Sequence, residues 1–217
     1  MRMILASQSP RRRELLSLTG FDFEVASTDL DETQQAGEDP VRYARRLSRE
    51  KAQAAARLVE GEALIVAADT IVVDGNEVLG KPANIAEATV TLRRLRGRTH
   101  HVITAVTLLH SSGSPRITDA CRSPVRMRGY TDAEIAAYVA SGDPFDKAGA
   151  YGIQHGGFHP VQDFAHCFAN VMGLPLCHIS RMLRRLDLKA PRDVPASCQA
   201  GIDYRCPIYD AILSGKL

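Results

Sequence analysis

Four stretches of the sequence hold side chains whose types and spacing could do chemistry. The first is Ser7-Gln8-Ser9-Pro10-Arg11-Arg12-Arg13. It follows a short apolar run and opens a helix, with Ser9 as the N-cap hydroxyl and Pro10 at the first helical position. A helix N-terminus presents unpaired N–H groups and the positive end of a dipole, so it suits an anion. Arginine forks in the first turn match phosphate oxygens. Their charge opposes the dipole unless an anion is present, so a bound phosphate would resolve a local conflict. The alternative is a solvated basic turn. Neighbours on a helix point about 100° apart, so at most two of these arginines can share one site.

The second is Asp69, where the apolar run 63–68 breaks off at Asp69-Thr70. Ligands of open α/β sheets lie beyond the carboxyl ends of the strands. A carboxylate there is placed as a metal ligand or general base, or else as a turn aspartate. The third is Gly80-Lys81-Pro82, whose lysine either meets phosphate as a point charge or stands in an exposed turn. The fourth is the loop Asp143-Pro144-Phe145-Asp146-Lys147-Ala148-Gly149-Ala150-Tyr151-Gly152-Ile153-Gln154. Gly149 and Gly152 permit close backbone approach to a ligand, and Gln154 offers a base edge both a donor and an acceptor. A structured surface loop is the alternative.

Other candidates are weaker. Glu50 and Lys51 fall in a highly charged helix and read as solvent-facing. His100-His101 lies in a strand, so one ring points inward and one outward, which is no metal clamp. His155 and His159 have no ligand spacing. His166-Cys167 and Cys177-His178 fit no zinc pattern and read as buried thiols. Cys198 and Cys206 belong to no motif.

These residues need elements to position them. Residues 3–6 read as a strand, followed by a helix from Ser9-Pro10 to Gly20. Residues 21–26 alternate like a strand, and 28–39 form an acidic loop. Asp39-Pro40 opens a long helix with Val41, Ala44, Leu47, Ala54 and Leu58 on one face, ending at Gly61. Residues 63–68 form a buried strand. Residues 71–73 and 77–79 flank Asp74-Gly75-Asn76 as a hairpin. Asn84 with Glu87, and Thr131 with Glu134, are capping-box patterns for two more helices. Strands span about 102–109 and 117–127, and Gly173-Leu174-Pro175 precedes a last helix. The alternation followed by clustered strands indicates an α/β protein with a mixed sheet.

Composition narrows the class. The 217 residues carry a formal charge of +2, with 45% hydrophobic and 24% charged residues. That is ordinary for a globular protein, and the near-neutral balance gives no support for nucleic-acid binding. Tryptophan is absent and aromatics are 6%, too few for base-stacking platforms. No apolar stretch is long enough for a membrane span, and the first residues turn polar too soon for a signal peptide. The 5 cysteines include no CxxC pair and read as reduced thiols of a cytoplasmic protein.

Taken in order, several segments resemble the Maf proteins. They are Leu5-Ala6-Ser7-Gln8-Ser9-Pro10-Arg11-Arg12, Ala68-Asp69-Thr70, Gly80-Lys81-Pro82, Gly97-Arg98-Thr99-His100, the run from Asp146 to Gln154, and Gly173-Leu174-Pro175-Leu176. The resemblance covers residues 3 to about 187. It implies a pyrophosphatase that cleaves a nucleoside triphosphate to the monophosphate and pyrophosphate with Mg²⁺ or Mn²⁺. It implies an elongated mixed sheet with flanking helices and two lobes around a cleft, similar to inosine triphosphate pyrophosphatases. Residues 1–188 would form that domain and 189–217 a C-terminal extension, disordered or docked through Tyr204, Ile208, Tyr209 and Ile212.

By the same resemblance, Ser7, Arg11, Arg12, Lys51 and Lys81 would hold the triphosphate, with Lys81 also in the catalytic set. Glu32 and Asp69 would be the acidic pair that holds the metal, with Asp69 as proton acceptor. Arg12, Thr70 and Gln154 match positions linked to base choice and follow the branch that prefers dTTP and UTP. A homodimer is the expected assembly, with a nucleoside triphosphate as partner and neither nucleic acid nor membrane. The alternatives are action on 7-methyl-GTP or another modified nucleotide, or a nucleotide-binding regulator of septum formation. Asp163-Phe164-Ala165-His166-Cys167-Phe168-Ala169-Asn170 departs from the family's glycine-serine-tyrosine approach to the last helix, which leaves the nearby cleft wall open.

Overall fold

A computed structural model describes residues 2–217. In chain order the elements are β1 (Arg2–Leu5), α1 (Pro10–Ser17), β2 (Glu24–Val25), α2 (Pro40–Ala56), β3 (Ala63–Asp74), β4 (Glu77–Leu79) and α3 (Ile85–Leu95). Then come β5 (Thr99–His110), β6 (Arg116–Arg126), α4 (Asp132–Ala140), 3-10 turns at Asp143–Asp146 and Ala148–Ala150, α5 (Phe168–Met172), α6 (Leu176–Arg184), α7 (Val194–Gly201) and α8 (Tyr209–Leu213). One sheet runs β2-β1-β3-β5-β6, with β4 paired to β3. β1 is parallel to β2 and β3, while the β3–β4, β3–β5 and β5–β6 pairs are antiparallel. The mixed sheet with flanking helices is the expected class.

Local signals explain the helix starts. Ser9 accepts from the Arg12 N–H and Asp39 from Val41 and Arg42. Asn84 accepts from the Glu87 N–H, and Thr131 with Glu134 forms the full capping box. Each satisfied N-cap is worth about 1 kcal/mol.

Strand β3 has two buried faces, and its residues alternate between them. Ala63, Ile65 and Ala67 pack with Ala52 and Ala55 of α2. Leu64, Val66 and Ala68 join Leu15 and Leu16 of α1 and Ile179, Met182 and Leu183 of α6. A further cluster, with Val72, Val102, Tyr130 and Phe158, joins β3 and β5 to α3 and α4.

The structure revises four sequence expectations. The strand over 21–26 shrinks to Glu24–Val25. β3 does not stop at Asp69 but continues to Asp74, because β5 pairs with it without interruption from Leu64 to Val73. Leu58 is 65% exposed, since α2 ends at Ala56 before the expected face reaches it. α6 is not the last helix, because α7 and α8 follow. They bring Val194, Cys198 and Ile212 into the cluster around Leu15 and Leu16. So the segment after residue 188 is folded and docked. Ile208 and Tyr209 pack against that cluster, and the Tyr204 hydroxyl donates to the Phe164 carbonyl at 3.0 Å.

Candidate active site

The site begins with an interruption in the sheet. β1 pairs with β3 only over residues 63–66, and β4 takes up the same edge only at Val72. Residues 67–71 therefore have no strand on that side among the described residues. Asp69 and Thr70 sit in this gap. By the alternation of the strand, Asp69 follows the α2 face and Thr70 the α1 face. The gap lets groups from both faces reach one cavity of about 650 Å³.

On the α2 face, Lys51 Nζ lies 2.6 Å from Asp69 Oδ1 and 2.7 Å from Glu32 Oε1. Lys51 stands four residues after Leu47 and four before Ala55, so it shares their buried face and is 9% exposed rather than solvent-facing. Glu32 comes from the long loop, which is fastened where the Tyr43 hydroxyl donates to the Glu32 carbonyl. Burial alone would raise the Glu32 carboxyl. The hydrogen bond from Lys51 and the charges of Lys51, Lys81 and Arg12 outweigh it and hold the group below its ordinary value.

On the α1 face, Arg12 is held by three acceptors. Its Nε donates to Gly173 O at 2.9 Å, one terminal nitrogen to Ser7 Oγ at 3.3 Å and the other to Thr70 Oγ1 at 3.0 Å. Burial lowers the guanidinium from its usual value, with Asp69 opposing, and leaves it a cation. Gly173 has a φ of +110°, and a Cβ there would stand 3.2 Å from Thr70 Oγ1 and 3.3 Å from Arg12 Nε. Only glycine suits both constraints. Arg13 is exposed, so two of the three adjacent arginines reach the site.

The late loop closes the mouth. Arg11 donates to Asp146 Oδ2 at 2.8 Å. Lys147 Nζ lies 2.6 Å from Asp146 Oδ1 and 2.9 Å from Asp143 Oδ1. Burial would raise the Asp146 carboxyl, but hydrogen bonds from Lys147 and Arg11 hold it low. The Gly149 N–H donates to Gly80 O at 3.1 Å, which ties this loop to the segment bearing Lys81. Gly149 has a φ of +71°, and a Cβ would meet Val72 Cγ1 at 2.9 Å. The close neighbour of this glycine is Val72 of β3 rather than the cavity, where a ligand was expected.

Ser7, Arg11, Arg12, Glu32, Lys51, Thr70, Lys81 and Gln154 all line the cavity. Asp69 is 5% exposed and sits behind Lys51, not at a strand end. The cationic wall of Arg11, Arg12, Lys51, Lys81 and Lys147 faces fewer carboxylates, Asp29, Glu32 and Asp146. That balance favours a polyanion. Val72, Val102, Ala148, Ile153 and Val171 supply an apolar wall. Sequence reasoning missed the Asp143–Asp146–Lys147 cluster as a site feature. Its one signal was a lysine between an aspartate and small residues.

His100 and His101 point to opposite sides, as the alternation requires. His100 is 1% exposed and pairs with the Tyr151 hydroxyl at 2.7 Å. Burial pushes it down to about 4, so it is neutral near pH 7. The cysteines are free thiols, with Cys167, Cys177 and Cys198 raised chiefly by hydrogen bonding or burial. The departing segment 163–170 does not itself line the cavity; Val171, Met172 and Gly173 do, and Asn170, fully buried, anchors them. Its amide donates to Val102 O at 3.1 Å and Ser123 Oγ at 2.9 Å, fixing α5 to the sheet.

As a divalent-metal site, the donor set is a pair of carboxylates, Glu32 and Asp69, each bonded to Lys51 Nζ. No group of three or more His, Cys, Asp or Glu side chains with metal geometry occurs among the described residues. Mg²⁺ and Mn²⁺ bind through one or two carboxylates when substrate phosphates complete the shell. The pair fits a cation of that kind, shared with Lys51.

A sequence profile described as "Maf-like protein" matches residues 2–186. A dTTP/UTP pyrophosphatase of Geotalea uraniireducens is 46% identical over 184 residues, covering 85% of this chain and 94% of that one. A dTTP/UTP pyrophosphatase of Thermomicrobium roseum is 40% identical over 221 residues, covering 100% of this chain and 98% of its own. Residues 189–217 therefore have a counterpart in at least one relative. A HAM1 protein structure from Coxiella burnetii aligns with 58% of this chain and 73% of its own at 19% identity and a TM-score of 0.41, too slight a likeness to carry an argument.

Proposed function

The chain belongs to the Maf-like protein family, and on that premise we propose that it hydrolyses nucleoside triphosphates to the monophosphate and pyrophosphate, with dTTP and UTP preferred. The observation that carries this reading is convergence. Residues from the first helix, the acidic loop, α2, β3, the turn after β4 and the late loop meet around one cavity with a cationic wall.

The reaction is attack of a water oxygen on the α-phosphorus. The new P–O bond forms as the bond from the α-phosphorus to the bridging oxygen breaks. The electron pair leaves with pyrophosphate. Asp69 accepts the water proton. Its Oδ1 is held by Lys51, so Oδ2 is the oxygen that orients the water. Ser7, Arg11, Arg12 and Lys81 bind the triphosphate and neutralise charge gathering on the leaving group, where positioning and electrostatics dominate. Arg11 exchanges Asp146 for phosphate as the substrate enters. Lys51 holds Glu32 charged in a partly dry site and bonds Asp69. Glu32 and Asp69 would hold Mg²⁺ or Mn²⁺, which would supply Lewis-acid polarisation of phosphate oxygens. Gln154, with Arg12 and Thr70, selects the base.

The reading includes a cytoplasmic location, supported by the free thiols, and a homodimer, which sedimentation checks. No helix among the described residues is long and apolar enough to cross a membrane. The test is pyrophosphate release from dTTP, UTP, CTP, ITP and 7-methyl-GTP with Mg²⁺ or Mn²⁺. Turnover led by dTTP and UTP is the expected result. Turnover led by a purine keeps the phosphate site and overturns the role of Gln154. No turnover from a chain that still binds nucleotides makes it a regulatory binder.

A further inference from the structure

The hydrogen bonds behind Thr70 have only one consistent direction. Thr104 lies opposite Thr70 in the β3–β5 register and is fully buried. Its hydroxyl donates to the Asn170 carbonyl at 2.8 Å, and a carbonyl cannot donate back. A threonine hydroxyl carries one proton. So in the 3.0 Å contact between the two hydroxyls Thr70 is the donor and Thr104 the acceptor. Arg12, which has only donors, gives its N–H to Thr70. The chain therefore runs from Arg12 to Thr70 to Thr104 to Asn170 without a choice at any step. The Thr70 proton is turned into the protein, and one lone pair is left for the cavity.

Resting on the nucleotide reading above, we propose that Thr104 is a positioning residue for substrate selection: it fixes Thr70 as an acceptor beside the Arg12 donor. Three of Arg12's five N–H groups are held by Gly173, Ser7 and Thr70, which leaves two for substrate. The nucleotide therefore meets a fixed pattern, donor at Arg12 and acceptor at Thr70. An acceptor-only hydroxyl does not bind a phosphate or carbonyl oxygen. The substrate atom that meets Thr70 carries a hydrogen, as the ring N–H of uracil or thymine does, whereas cytosine has an unprotonated acceptor nitrogen at that ring position. Bases differ in which edge atoms donate and which accept. A hydroxyl of fixed direction tells them apart, and one free to rotate does not. Thr104 touches no substrate and acts through Thr70.

The test compares the full-length chain with Thr104→Val and Thr104→Ser, reading kcat/KM for dTTP, UTP and CTP. Valine keeps the shape and removes both hydrogen bonds, while serine keeps the hydroxyl. In Thr104→Val the preference for UTP over CTP narrows about tenfold, mainly through KM, because a mispaired buried polar group costs about that much. In Thr104→Ser it stays within about twofold. A lost methyl alone lowers melting temperature without moving the ratio. An unchanged ratio in folded Thr104→Val overturns the proposal, as does a serine variant that loses as much as valine. Thr104→Ala, too small to clash, is read if the valine variant does not fold. Wild-type chain that turns over none of the three overturns the pyrimidine preference and this role with it. Turnover with an unmoved ratio overturns the role of Thr104 alone.

Discussion

Asp69 and Thr70 are neighbours on one strand, yet they serve the cavity from opposite faces with opposite chemistry, Thr70 lining it and Asp69 standing behind Lys51. Asp69 is charged and its partner is a shared ammonium, 2.6 Å away and bonded also to Glu32. Thr70 is neutral and stands in a directed chain of hydroxyls. An ion pair is strong but loosely directional, whereas a hydroxyl chain is weaker and sharply directional. On the proposed function this is a division of labour across one strand: proton transfer on the α2 face, substrate binding and base recognition on the α1 face.

The hardest blow to that division is Asp69→Asn. Turnover should fall on the order of 10³-fold, as for loss of a general base, with circular dichroism unchanged. A variant within tenfold of wild type would end the claim that the α2 face does chemistry. Lys51→Met comes next and should cost about a hundredfold in kcat. It also removes the hydrogen bond and charge that hold Glu32 low, so the Glu32 pKa rises. The acid limb of the pH–rate profile should therefore move to higher pH. A limb that stays put means that neither carboxylate governs it.

Gln154→Ala sharpens the other side. Gln154 is exposed at the cavity and makes no side-chain hydrogen bond among the described residues. Its loss should leave dTTP turnover within about fivefold while the ranking of nucleotides changes by tenfold or more. An unmoved ranking assigns selection wholly to Arg12 and Thr70.

The smallest effect should spare the division altogether. His100 is pushed down to about 4 by burial. The unfolded chain takes up a proton near pH 6.5 that the folded chain refuses until about pH 4. Its contribution is complete above pH 6.5 and is lost as pH falls through that window, on the order of 2 kcal/mol by pH 5. Urea midpoints at pH 7 and pH 5 should show the drop, with nucleotide ranking unchanged.

What could be read from the sequence was local. Ser9-Pro10, Asp39-Pro40 and Thr131 with Glu134 mark helix starts because a cap is satisfied within a few residues. The extent of β3 could not be read, because β5, some thirty residues on, keeps Asp69 and Thr70 in the ladder. The apparent stop at Asp69 was a change of side-chain partner, not the end of a strand. Lys51 carried a legible signal, its spacing from Leu47 and Ala55, that its charge concealed. The Asn170 clamp was beyond reach, since its partners come from β5 and β6.

One earlier feature bears on how the protein is made. Leu15 and Leu16 share an apolar cluster with Val194, Cys198 and Ile212. A Cβ at Gly201 would come within 2.6 Å of Leu18, so α7 lies hard against the residues that end α1. The Arg192 N–H donates to Thr19 O at 3.1 Å. At roughly 5–20 residues per second, synthesis separates Leu15 from Ile212 by about ten to forty seconds. Until that interval ends, the helix bearing Arg11 and Arg12 lacks the part of its backing that α7 and α8 supply. Closure of this core is a late event in synthesis, and a nascent chain stalled before residue 194 exposes the apolar surface that chaperones hold.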